Sequence, residues 1–255
     1  MSYPTVLVKK ENYIGTLSLN RPEELNTFST QLAMDLTSAL LEMDADPEVR
    51  VIVIKGEGRA FSAGIDLSEF EGKTYCELVD WVKPINAICL TVNKIKKPVI
   101  ASAHKFAVAN GIALLAAADL AVVSDDTKFG TTAVNIGLFC MGPAVTLARN
   151  IGRKKVLELL LTGDMIDAQE AVRLGLVNYA VPREELEGKT MELATKIASK
   201  SPTAVQIGKA SFYEVADLEY GKALDFVSQH FASLCATEDA AKGYKAFKEK
   251  KEIVW

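Results

Sequence analysis

Two histidines, four cysteines and a short run of acids around residue 66 are what this sequence offers to side-chain chemistry. His104 and His230 come with no HExxH string and no Cys/His cluster, so a zinc site is not expected. Cys76, Cys89, Cys140 and Cys235 lack CxxC spacing and mostly sit in apolar stretches, where a free thiol behaves as a small hydrophobe. Asp66, Glu69 and Asp80 lie on or after a glycine-bearing loop, and Asp66 reads as a helix cap. Tyr75, Thr132, Asn135 and Cys140 read as packed or capping residues, and His104, just after an apolar strand, as a hydrogen-bonded core histidine. Gly56-Glu57-Gly58 lacks the third glycine of a dinucleotide fingerprint, and Gly72-Lys73-Thr74 has Leu67 where a phosphate loop needs its first glycine. Backbone chemistry remains. The loop Ala63-Gly64-Ile65 has a glycine that permits an unusual backbone angle, and Asn110-Gly111 precedes an apolar helix. Both suit the presentation of amides to an oxygen that gains negative charge.

The elements that would position these loops follow from periodicity. Residues 3–20 read as a hairpin turned at Glu11-Asn12, with Val6, Val8, Ile14, Leu17 and Leu19 apolar. Leu32, Leu36, Leu40 and Met43 recur at helical spacing over 29–44, with Ser29 or Thr30 as N-cap. Residues 49–55 form a continuous apolar strand of the fully buried kind, 75–95 an amphipathic helix, 97–103 another strand and 112–118 an alanine-rich helix. Strands follow at 121–123 and 128–130, so the order strand, strand, helix recurs three times. From Gly152 onward the pattern is almost wholly helical. The expected organisation is an α/β core over residues 1–198 and a helical C-terminal region over 199–255, joined as one folding unit.

Composition narrows the partners. The chain has 255 residues, 49% hydrophobic and 24% charged, and a net charge of −4, so it has no basic field to recommend nucleic acid or an anionic membrane. The alanine-rich run 106–123 is broken by Asn110, Gly111 and Asp119 and reads as core. No basic and apolar leader precedes the first strand, and the thiols are unpaired in pattern, which together lead to the expectation of a reducing cytoplasm.

Several strings stand together in order: Asn20-Arg21-Pro22 with Leu25-Asn26, Arg59-Ala60-Phe61-Ser62-Ala63-Gly64-Ile65-Asp66-Leu67, Lys97-Pro98-Val99-Ile100-Ala101, Asp119, Phe129-Gly130, Leu161-Thr162-Gly163-Asp164 with Ala168-Gln169-Glu170-Ala171, and Gly175-Leu176-Val177. This set resembles the enoyl-CoA hydratase/isomerase (crotonase) superfamily from end to end. The resemblance implies a crotonase-like spiral of repeated β-β-α units, a helical C-terminal region used in trimerisation, and a homotrimer or homohexamer. It implies an acyl-CoA or enoyl-CoA thioester as ligand, with CoA part of the substrate and no separate cofactor. The thioester carbonyl would sit between the amides of Ile65 and Asn110. Leu25, Ala63, Ser68 and Gly111 match positions along the bound substrate, and Phe247 and Lys250 match an aromatic and a basic residue near the nucleotide end. Ser68 departs from the lysine often found at its position; one phosphate contact is then weaker, or is taken over by Lys73 or Lys250.

A second departure concerns the chemistry. The two glutamates of the family's hydratases fall on Ala113 and Ala133, and the aspartate of the dienoyl-CoA isomerases on Met141. Alanine moves no proton, and general acid or base help is worth about 10²- to 10⁴-fold per group. The resemblance therefore leaves two readings open, an enzyme with nonstandard acid-base chemistry and a non-catalytic acyl-CoA binder.

Overall fold

The computed structural model describes residues 3–255; Met1 and Ser2, where the reading of the N-terminus begins, lie outside it. The chain opens with the antiparallel pair β1 (Val6–Glu11) and β2 (Ile14–Leu19), turned through Asn12 and Tyr13, both at positive φ. Helix α1 (Thr30–Ala45) starts where Ser29 caps it, the serine oxygen accepting from Leu32 N, and it buries Leu32, Leu36, Leu40 and Met43 at the spacing read from sequence. Strand β3 (Val51–Gly56) leads through a long loop to α2 (Tyr75–Lys94), which begins with a Thr74/Glu77 capping box and carries Pro84 within it. Then come β4 (Val99–Ala103), β5 (Phe106–Val108), α3 (Asn110–Ala117), β6 (Leu120–Ser124), β7 (Lys128–Gly130), a 3₁₀ turn over Thr132–Ile136 and α4 (Met141–Leu147).

The remainder corrects the expectation of an almost wholly helical chain after Gly152. Between α5 (Arg153–Thr162), α6 (Ala168–Arg173) and α7 (Leu186–Ala198) lie two three-residue strands, β8 (Met165–Asp167) and β9 (Tyr179–Val181). Each is three residues long, and alternation that short did not stand out from the helical patterns on either side. Helices α8 (Pro202–Val215), α9 (Tyr220–Cys235) and α10 (Glu238–Glu249) close the chain.

Among the described residues the strands form a six-stranded sheet, ordered β1-β2-β3-β4-β6-β9 and parallel from β2 onward, and a small sheet ordered β5-β7-β8. The fold is the expected crotonase-like spiral. In its second turn the second strand is reduced to the isolated bridges Phe28–Ile65 and Ser62–Ala107, the latter set against β5 of the small sheet. Alternation along the large sheet splits the core. Ile52, Ile54, Val99 and Ala101 join α1, α2 and α3 in the main core, while Ile14, Val51, Val53 and Ile100 pack under α7. Helix α8 is fastened to the core by a buried network. Lys209 Nζ lies 2.7 Å from Asp119 Oδ2 and donates to Val92 and Lys97 carbonyls, Tyr213 OH donates to Asp119 Oδ1, and Val99 N donates to Asp119 Oδ2.

Candidate active site

Two backbone segments meet at the candidate site, and the reason they can meet is the absence of side chains. A Cβ placed on Gly64 would fall 2.8 Å from Ala109 Cβ, and one on Gly111 would fall 2.6 Å from Ser62 O. The residue before Ile65 thus touches the residue before Asn110. Gly64 has φ +110, which a side chain would resist, and Ala109 has φ 49 despite its side chain, so the turn into α3 is held in a conformation that neighbours must enforce. One enforcing contact is Ala109 N donating to Gly130 O, and another is Val108 N donating to Ser62 O.

The free amides follow from this pairing. Phe28 N donates to Gly64 O and Asp66 N donates to Phe28 O, a parallel bridge that turns the Ile65 N–H away from Phe28. Asn110 is the first residue of α3, where a helix leaves its own N–H groups without partners. Neither amide has an acceptor among the described residues. The α3 dipole adds a positive end beside Asn110.

The loop that carries Ile65 is tied on every side. Ala63 N donates to Leu25 O, and Asn26, fully buried, donates to Glu57 and Ala60 carbonyls while accepting from Arg21 N. Asp66 accepts from Ser68 N and Oγ and pairs with Arg21 at 2.8 Å. Burial alone would raise the Asp66 pKa, but the hydrogen bonds from Ser68 and Arg21 and the guanidinium charge hold it below the usual carboxylate range. Glu69, one turn on, accepts from Thr30 N and Oγ1 at the head of α1 and from Trp81 Nε1 on α2. Sequence reading took Asp66 for a cap, and it caps the 3₁₀ turn Leu67–Glu69; the clasp made by Glu69 had no sequence signal, because Thr30 and Trp81 are remote in the chain.

Beside Asn110 lies a narrow gap of about 10 Å³ lined by Phe28, Ile85, Ile88, Cys89 and Leu114. Burial pushes the Cys89 thiol up to about 12, so this wall holds no anion at neutral pH. Ala113 is buried in α3, and Ala133 is half-buried in the turn after β7. Ala63 and Gly111 flank the two amides, Leu25 supports Ala63 through its carbonyl, and Ser68 is exposed with its hydroxyl spent on Asp66. Phe247 and Lys250 stand apart, at the end of α10, which packs chiefly on α8 and α9; Phe247 is 81% exposed. His104 is the hydrogen-bonded core histidine that was expected, with Nε2 3.0 Å from Gly58 O. Tyr75 and Asp80 face solvent on α2. Among the described residues no three His, Cys, Asp or Glu side chains gather as metal ligands, and no helix is long and apolar enough to cross a membrane.

Comparison with known proteins identifies the family and the fold. The family described as Enoyl-CoA hydratase/isomerase matches residues 9–255. The chain is 39% identical over 246 residues to human Enoyl-CoA hydratase domain-containing protein 3, mitochondrial, covering 95% of this chain and 80% of that protein. The mouse protein of the same name is 36% identical over 250 residues, covering 97% and 83%. Among solved structures, an enoyl-CoA hydratase of Mycobacterium smegmatis superposes with a TM-score of 0.96 at 34% identity, covering 99% of each chain. The vertebrate relatives overturn the expectation of a cytoplasmic location, since both are named as mitochondrial. Four free thiols do not say which compartment holds the chain.

Proposed function

Because the chain belongs to the enoyl-CoA hydratase/isomerase family, we propose that it binds an acyl-CoA or enoyl-CoA thioester with the carbonyl oxygen between the Ile65 and Asn110 amides. The observation that carries this reading is the pair of unspent N–H groups on two segments locked together at Gly64 and Ala109. Donors fixed in advance against an oxygen that becomes an enolate need no reorganisation, and each is worth about 3–4 kcal/mol. Leu25, Ala63, Ser68 and Gly111 line the bound thioester. CoA enters as part of the substrate, and no separate cofactor takes part.

The chemistry that follows binding does not use the usual two carboxylates, because positions 113 and 133 are alanine. The enzyme reading has a water or a nonstandard side chain move the proton while the amides stabilise the enolate. The second reading, favoured by the same two alanines, is a binder that keeps the pocket and turns nothing over. The helical C-terminal region supports assembly as a homotrimer or homohexamer: α9 and α10 bury no residue, yet expose Phe231 (67%) and Phe247 (81%). Phe247 and Lys250 then serve the nucleotide end within that assembly.

Calorimetric titration of the purified protein with a panel of acyl-CoA and enoyl-CoA thioesters, with mass analysis of each mixture, tests the proposal. Binding with conversion supports the enzyme and names the reaction. Binding without conversion supports the second reading, and no binding removes both.

A further inference from the structure

Two recesses among the described residues are lined by neither Ile65 nor Asn110. One, of about 370 Å³, opens at the C-terminal ends of the parallel strands β2, β3 and β4, against α7. Strand alternation fixes its side. Ile14, Val51, Val53 and Ile100 pack under α7, so Thr16, Lys55 and Ser102, on the same phase of their strands, face the same layer. Ile52, Ile54, Val99 and Ala101 face the other layer with α3. The sheet therefore stands between the α7 side of this recess and α3, which carries Asn110. This volume is within the usual range of about 300–1,000 Å³ for small-molecule sites.

Its wall separates into groups that are spent and groups that are not. Thr190 donates to Leu186 O, which leaves Ser102 to donate to Thr190, and Lys55 pairs with Glu57 at 3.6 Å. His104 is 5% exposed, and since Gly58 O can only accept, its Nε2 carries the proton and its Nδ1 presents a lone pair that no described residue uses. Burial holds the ring below the usual imidazole pKa, so it stays a neutral acceptor. The side chains of Arg183, in the 3₁₀ turn before α7, and of Glu187, in the first turn of α7, make no ion pair or hydrogen bond among the described residues, and Lys9 feels the Glu187 charge only at longer range. A plain anion here meets Glu184 and Glu187, and a plain cation meets Lys55 and Arg183. A ligand carrying both charges satisfies both sets, and the guanidinium fork suits a carboxylate.

We infer that this recess binds a small zwitterion of the size and charge pattern of an amino acid, with its carboxylate on Arg183 and its ammonium shared by Glu187 and His104 Nδ1. A second opening, of about 470 Å³, adjoins it and shares Gly58, His104 and Arg183 while reaching Leu25, so independence from the thioester site is part of the test.

The experiment is isothermal titration of the full chain with the standard amino acids singly, with acetate and ethylamine as controls. At least one amino acid binds, one per chain, at least tenfold more tightly than either control. Arg183→Gln and Glu187→Gln, both at exposed positions, each weaken it tenfold or more, leave acyl-CoA binding unchanged, and saturating CoA does not displace the amino acid. Absence of binding at millimolar concentration, equal binding of acetate, survival of binding in the double variant, or displacement by CoA each overturns the inference.

Discussion

The loop Ala63–Phe70 and the turn Thr131–Ile136 lie on either side of Ala109 and are built in opposite ways. The loop presents backbone, and its place is set by contacts with Leu25, Phe28, Thr30, Trp81 and Arg21 that come from several elements. The turn carries one position where a side chain would have to act and α3 the other, and both are alanine, Ala133 and Ala113. The turn's one buried polar orphan is the Thr131 hydroxyl, which has no hydrogen-bond partner. A donor made of backbone persists as long as the fold does, whereas a proton carrier vanishes with a single codon. Under the proposed function, the comparison accounts for a chain with the means to hold a thioester and without the usual means to transform it.

The sharpest test adds what the turn lacks. Ala113→Glu with Ala133→Glu raises crotonyl-CoA hydration by at least about 10²-fold, the lower end of what one general acid-base group supplies. Steady-state kinetics reads the gain, and a folded double variant with none removes the site from this place in the molecule. The next test breaks the loop in that background. Gly64→Ala drives a Cβ to 2.8 Å from Ala109 Cβ at φ +110, displaces the Ile65 amide, and lowers kcat by about 10²-fold, the cost of one lost oxyanion donor.

A smaller effect comes from the clasp at Asp66. Asp66→Asn leaves Arg21 without its ion pair and costs about 1–3 kcal/mol in denaturant unfolding at neutral pH. Because the folded carboxyl is held below its ordinary pKa, its contribution is present above the ordinary value and is lost as pH falls through the lowered folded value, so the variant shows a shallower acid limb. The smallest effect marks the far face of the sheet. His104 prefers to be neutral when folded, so the unfolded chain takes up the extra proton, and stability falls as pH drops below the ordinary imidazole pKa of about 6.5. His104→Gln flattens stability between that pH and the lowered folded value, while leaving thioester binding at the other face as it was.

What the sequence displayed depended on length and locality. Helix α1 and strand β3 were legible because each buries a continuous periodic face, and the loop around Ile65 was legible because its residues are neighbours in the chain. Strands β5, β8 and β9 were not: each is three residues long and is held by pairing with β7 or β6, although β7, equally short, was read at 128–130. The contacts that make the site rigid escaped for a related reason. Glu69 with Trp81 and Gly64 with Ala109 are tertiary meetings, and nothing in either partner announces the other. The recess under α7, with walls from Thr16 to Met191, is still less visible from sequence.

The close approach at Gly64 and Gly111 bears on chemistry as well as on geometry. Under the proposed function, this pair of amides stays in place through two missing methyl groups and the packing that closes over them, and neither depends on which residues stand at positions 113 and 133. The same holder then serves a chain that turns its thioester over and one that only keeps it.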